Sequence, residues 1–392
     1  MTKPGSVTAQ VSERERLDAL VERDTIVICC GSGGVGKTTT AAVIAQEAAH
    51  RGRDAVVVTI DPAKRLANAL GLDALSDTPS EVPRELWDPD GTAPASGRLS
   101  ALMLDTKTTF DQLVVRYAAG EEQAQRILEN GFYRNVSGAL SGTQEYMAME
   151  KLYELHEAGG YALIVVDTPP TRHALDFLDA PDRLLRMLDN RIFRLLMMPT
   201  RAYLKVASVA VQTFLRTVSR VVGSEVVNDI VAFFRAFEGM EAGFRERAQR
   251  VRALLAESGA SFVLVTSPRR DAIDEAEFFA QRLESDGRNV AALIVNRVHP
   301  SFGSELSEGL RLRARELRES TGASAPAESG ARLSALYDNL ADFNEIAARE
   351  RGHFADLTAR IGSAAVAYVP FLPRDVHDLD ALAEIGTAIF RG

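Results

Sequence analysis

The chain has 392 residues, 46% of them hydrophobic and 25% charged, with a formal net charge of −9. These values fit a soluble α/β protein of one or two domains and argue against a general nucleic-acid binder, which carries a basic excess. No stretch approaches 18 consecutive apolar residues and the polar N-terminus lacks an apolar signal core, so the reading is cytoplasmic, with a peripheral place at a membrane left open.

Residues 1–23 read as a polar tail that admits a short helix at "SERERLDALVE". "TIVICC" is an apolar, β-branched run entering glycines, the pattern of a buried parallel strand. "KTTTAAVIAQEAAHRG" predicts the helix after it, with Gly52 near its end, and "DAVVVTID" predicts the next strand. Residues 76–98 are crowded with Pro, Ser, Asp and Gly and read as a long mobile loop. "LSALMLD" predicts a strand, and residues 107–158 are mostly helical. Further strands are expected at "YALIVVD", "SFVLVTS", "AALIVNRV" and "AAVAYVP".

Strands alternating with helices imply a mostly parallel, doubly wound α/β sheet with helices on both faces. The partition is a core in two parts, 24–180 and 256–392, interrupted by a helical subdomain at 181–255; a second helical stretch spans 304–361. Cys29 and Cys30 are the only cysteines. Neighbours on a strand face opposite ways, so the two read as small buried hydrophobes rather than as a metal site. The six histidines show no metal-ligand spacing.

"GSGGVGKT", Gly31 to Thr38, fits G-x-x-x-x-G-K-[ST] between a predicted strand and a predicted helix. Glycines allow the backbone amides of Gly33, Gly34, Val35, Gly36 and Lys37 to curl around phosphate oxygens, and the helix N-terminus adds unpaired N–H groups. Lys37 reaches the β- and γ-phosphates, the Thr38 hydroxyl ligates Mg²⁺, and Thr39 lies beside them at the helix start. The matching metal-side carboxylate should end another buried strand. "YALIVVDTPP" supplies Asp167, which would hold Mg²⁺ through water.

"GGVGKTTTAA", "TIDPAKRL", "TQEYMAMEKL", "VVDTPPTRHALDFLDAP", "VNRVHP" and "VPFLPRDVHDLDAL" occur in this order across nearly the whole chain. Together they resemble the arsenite-pump ATPase family, which includes the targeting ATPases for tail-anchored membrane proteins. The resemblance implies a phosphate-loop core of the deviant Walker A class, a helical subdomain, and a dimer working across ATP. It makes Asp61 the residue that orients the attacking water and, with Lys37, a catalytic residue. It makes Asp167 the sensor of the γ-phosphate, Asn296 the reader of adenine, and Pro370 and Phe371 the cover of the adenine ring.

Three departures qualify it. Arsenite-transport members hold As(III) with three cysteines, and some targeting members pair through a zinc-binding C-x-x-C; this chain has neither, so no zinc and no thiolate-bound metalloid is expected. Ser32 stands where the family carries a lysine that crosses to the partner's phosphates. Three readings stay open: a lysine-bearing paralogue acts in trans in a heterodimer, a nearby cation (Arg172 or Arg65) substitutes in a homodimer, or hydrolysis is slow.

Residues 183–222 form a methionine- and arginine-rich amphipathic stretch, with Met187, Met197 and Met198 among leucines and phenylalanines and Pro199 expected to break the helix. Such a stretch suits a hydrophobic protein or membrane client, or simply buries its own apolar face. The leading expectation is therefore a Mg²⁺-dependent, nucleotide-gated ATPase that handles a hydrophobic client. The alternatives are the energising subunit of an anion or metalloid efflux system and a non-catalytic ATP-binding regulatory subunit.

Overall fold

The structure, a computed structural model, describes residues 12–61, 64–136, 143–169, 174–191, 223–256, 259–320, 327–372 and 379–391. Its centre is an eight-stranded sheet: β1 Ile26–Cys30, β2 Asp54–Thr59, β3 Ser80–Glu81, β4 Arg98–Met103, β5 Leu163–Asp167, β6 Ala260–Thr266, β7 Val290–Val298 and β8 Ala365–Pro370. The strand order is β3-β4-β2-β5-β1-β6-β7-β8, parallel throughout except for the antiparallel edge pair β3–β4. β1 and β5 are buried along their whole length, as strands covered by helices on both faces must be.

The alternation of side chains along β1 sorts them into two cores. Ile26, Ile28 and Cys30 join one cluster with the helices Thr143–Ala158 and Glu241–Ala256; Val27 and Cys29 join the other with the helices Lys37–His50 and Leu379–Phe390. The adjacent cysteines thus face opposite sides of the sheet, as their sequence positions predict. Burial pushes the Cys30 thiol up to about 12 and raises that of Cys29 as well, so both are protonated packing groups.

Two stretches are more ordered than their composition suggests. The N-terminal segment, read as a polar tail, contains the helix Glu13–Glu22, started by a reciprocal cap in which the Glu15 amide donates to Ser12 Oγ and the Ser12 amide donates to Glu15 Oε2. Leu17, Leu20 and Val21, spaced three and four apart, enter the same core as Val27. Residues 76–98 are not a bare mobile loop. They hold β3 and the short helix Arg84–Trp87, and Trp87 is buried edge-on against His50. The buried Asp88 carboxylate there accepts amides from Thr92 and Ala93 and the guanidinium of Arg84.

The boundary expected at residue 181 for a helical subdomain lies within a helix. That helix, Ala174–Asp189, runs through residue 181 with Pro181 inside it. The described residues after it hold the helices Ser224–Ala236 and Glu241–Ala256. Phe233, Phe237 and Phe244 pack in a ring cluster with Phe110 and Tyr133, so this part buries its apolar face on the core. Met187 remains 48% exposed. Met197, Met198, Pro199 and most of the basic stretch lie outside the described residues.

The packing of the first helix predicts distinct costs for its core and cap. Leu20→Ala should destabilise the protein by about 2–5 kcal/mol and Ser12→Ala by about 1 kcal/mol, read from urea unfolding. A solvated tail would leave both variants at the wild-type midpoint.

Candidate functional site: a phosphate loop between two cavities

β1 occupies the middle of the sheet, and the chain leaves its carboxyl end through the glycine-rich loop into the helix Lys37–His50. Close approach dictates two of the glycines. At Gly31 a Cβ would sit 2.1 Å from the Val265 carbonyl oxygen of β6. At Gly36, where φ is 101°, a Cβ would sit 2.2 Å from Asn296 Nδ2 at the end of β7. The loop is thus pressed against two neighbouring strands, and Asn296 fastens it by donating to the Val35 carbonyl at 2.8 Å.

The Lys37 side chain folds back under the loop and donates to the Ser32 carbonyl at 2.8 Å. Burial lowers its pKa, while the nearby Asp167 charge acts in the opposite direction. Asp167, at the end of β5, accepts the hydroxyls of Thr38 at 2.7 Å and Thr59 at 2.9 Å on Oδ2. Its Oδ1 is buried without a partner, and burial raises the pKa of the carboxyl against the pull of those hydroxyls and of Lys37. Thr168 ties the same strand end to β1 by donating to the Cys29 carbonyl at 2.8 Å.

Lys37, Thr38, Thr39, Asp61 and Asp167 line one cavity of about 350 Å³, together with Arg65 and Arg297. The Asp61 amide donates to Thr59 Oγ1, and Arg65 Nη1 stands 3.4 Å from the Asp61 carboxylate. Cationic, hydroxyl and carboxylate groups converging at a helix N-terminus and strand carboxyl ends can take a phosphate chain with a divalent cation. The residues fit such an ion: Thr38 offers a hydroxyl, and the unpaired Oδ1 of Asp167 offers an acceptor for a metal-bound water. Among the described residues no group of three or more His, Cys, Asp or Glu side chains could hold a metal alone. The ion would therefore take most of its ligands from phosphates and water, as Mg²⁺ does.

A second cavity of about 360 Å³ lies on the other side of the loop, lined by Ser32, Gly33, Gly34, Val35, His299 and Phe371 among others. Phe371, 58% exposed, stacks loosely on His299, whose Nδ1 lies 2.7 Å from Glu350 Oε1. Pro370 ends β8 beside it but does not line the cavity. The two cavities share Gly34 and Arg297.

Lys37, Thr38, Thr39, Asp61 and Asp167 therefore come together, whereas Phe371 belongs to the neighbouring space. Asn296 lies between them with its amide engaged by backbone: Nδ2 donates to Val35, and Oδ1 accepts from the Arg297 amide at 2.9 Å. Ser32 is only 9% exposed, and its carbonyl is occupied by Lys37. Arg172 lies outside the described residues. Sequence reasoning missed Thr59 and Arg297. Thr59 was legible as a hydroxyl at a strand end two residues before Asp61, while Arg297 had no signal in spacing.

These features define a nucleotide-binding protein of the phosphate-loop class, on a parallel sheet with the loop at its central strand. The chain belongs to the anion-transporting ATPase family, whose profile matches residues 24–319. It is similar to ATPase GET3 of Malassezia globosa, with 29% identity over 162 residues, 41% of this chain and 44% of that one. It is also similar to ATPase GET3 of Paracoccidioides lutzii, with 27% identity over 191 residues, 48% and 52% of the two chains. A third relative, ATPase GET3 of Ajellomyces dermatitidis, is 28% identical over 194 residues, again 48% and 52%. The chain spans about half the length of the curated relatives it matches.

The raised pKa of Asp167 has a consequence for the nucleotide-free protein. A carboxyl with a raised folded pKa contributes stability below the ordinary carboxylate range and loses it as pH rises through the folded value. Asp167→Asn removes that loss, so at pH 7 it should raise the thermal midpoint of the apo chain. The gap should close as pH falls toward the ordinary carboxylate range. A variant that melts below wild type at pH 7 would contradict this account of the burial.

Proposed function

We propose that the chain binds Mg²⁺-ATP at the loop Gly31 to Thr39 and hydrolyses it. The observation that carries this reading is the joint placement of Lys37, Thr38 and Asp167 in one cavity, with Asp167 Oδ1 buried and unpaired. Phosphate oxygens would replace the Ser32 carbonyl as the acceptor for Lys37, and the loop amides would take the remaining oxygens. Asp61, lining the same cavity and braced by Thr59 and Arg65, would orient the attacking water. Thr38, and Asp167 through water, would hold Mg²⁺, which would neutralise charge on the phosphates. Phe371 lines the cavity proposed for adenine, whereas Asn296 lines neither cavity and its amide is engaged by the Val35 carbonyl and the Arg297 amide.

The loop itself argues for slow turnover in isolation. The serine at position 32 carries no charge, and its carbonyl is tied to Lys37, so it cannot stabilise charge developing on a transferring phosphoryl group. We place the missing cation on a second, lysine-bearing ATPase chain that pairs with this one. The output proposed is the handling of a hydrophobic or membrane-associated client at the helical insertion. Asp167 is seven residues from the helix Ala174–Asp189, which carries the exposed Met187, so a γ-phosphate contact at Asp167 has a short chain path to that surface. The reading of an arsenite-coordinating efflux subunit is disfavoured because both thiols are buried and protonated.

Calorimetry and turnover assays test this in two stages. Lys37→Ala should weaken ATP binding by about 100-fold, the loss of a charge-assisted contact to phosphate. Steady-state hydrolysis by the purified chain should be slow and should rise on adding the lysine-bearing paralogue. Fast turnover by the chain alone, unchanged in Arg172→Ala, would remove both the trans-lysine and the substituting-arginine explanations.

A further inference from the structure

We infer that Arg297 is a nucleotide-binding residue whose guanidinium holds the α-phosphate where the phosphate chain passes from one cavity to the other. The inference rests on the nucleotide site proposed above and adds a residue that neither the loop motif nor the family resemblance assigns.

Two features converge on it: one backbone irregularity, seen in the dihedral angle and in the strand register, and the residue's place between the cavities. Arg297 has φ 61°, the only positive φ at a non-glycine position among the described residues. Left-handed backbone at a long side chain is costly, and such strain gathers where a side chain has to be aimed. The β7–β8 register also breaks at this residue: Asn296 pairs with Val369 and Val298 with Pro370, leaving Arg297 bulged out of the ladder. Bulges redirect side chains and recur beside active sites. Finally, Arg297 and Gly34 are the two residues common to both cavities.

The local bonding explains how the bulge is held. Asn296 Oδ1 accepts the Arg297 amide, while Asn296 Nδ2 grips the Val35 carbonyl of the phosphate loop. One side chain thus fixes both the loop and the backbone that presents the arginine. The guanidinium is exposed and has no hydrogen-bond or ion-pair partner among the described residues. Its planar fork of donors suits phosphate oxygens better than a point charge does.

The position along the nucleotide follows from the other groups. Lys37, Thr38, Asp61 and Asp167 set the β- and γ-phosphate end in the first cavity, and Phe371 offers a ring face in the second. A nucleotide joining them passes Arg297 at its α-phosphate. The positive charge that the loop lacks at Ser32 is in this way partly supplied within the same chain, for holding the nucleotide rather than for stabilising the transferring group.

Arg297→Gly tests this without straining the fold, because glycine accepts φ 61° and keeps the bulge while removing the guanidinium. Calorimetry with Mg²⁺-ATP and Mg²⁺-ADP on the full chain should show both weakened about tenfold, with a shallower salt dependence. Arg297→Lys should recover part of the loss. Wild-type affinity in Arg297→Gly would overturn the inference and leave the arginine a consequence of the bulge. Loss confined to ATP would overturn the α-phosphate placement. Lys37→Ala separates the levels: if it too binds ATP normally, the nucleotide site fails; if it alone loses binding, only the role of Arg297 fails.

Discussion

The Asp167 carboxylate, almost wholly out of water, takes hydroxyl hydrogen bonds from Thr38 and Thr59 on one oxygen and leaves the other unpaired. Those bonds join β5 to the start of the loop helix and to the end of β2. They keep Lys37, Thr38 and Asp61 around one cavity. Burying a carboxylate this way costs stability unless something charged completes it. On the proposed reading, a bound cation with its phosphates would offset that cost at the strand end. The raised pKa of Asp167 and the lowered pKa of Lys37 express the same imbalance from opposite sides.

A second constraint is the close contact of the loop with β6 and β7. Gly31 and Gly36 leave no room for a side chain against Val265 and Asn296, so the loop cannot lift from the sheet without breaking the Asn296–Val35 bond. This rigid seat divides the nucleotide-facing surface into two cavities, and Arg297 stands at their junction. On the proposed reading, the chain with Ser32 in its loop seats the phosphates but supplies one charge fewer for transferring them. The proposed second subunit and the proposed role of Arg297 address different parts of that shortage.

Much of this was legible in the order of residues. The apolar runs at 25–30, 54–61 and 161–167 identified three buried parallel strands, because strands covered on both faces are largely apolar, and the structure sets them side by side. The motif Gly31 to Thr38 identified the loop, because its glycines, lysine and hydroxyl between a strand and a helix match the needs of a phosphate. The helix Glu13–Glu22 was undervalued because its polar residues outnumber the three that enter the core. Residues 76–98 were undervalued because Pro, Gly and Asp mark irregular backbone without marking burial; the anchors there are Trp87 and Asp88.

The sequence by itself determined the α/β class, from local periodicity, and the family, from six motifs in order along the chain, and it marked the loop Gly31 to Thr38 and Asp167 as candidate site residues. Only the tertiary structure decided that Thr59 shares the Asp167 carboxylate, that Asn296 clasps the loop, and that Arg297 is turned toward both cavities. These depend on contacts between strands far apart in sequence, and on a backbone angle set by a register shift between β7 and β8. Spacing along a chain carries no record of such contacts, because the sheet brings those residues together only after it has formed.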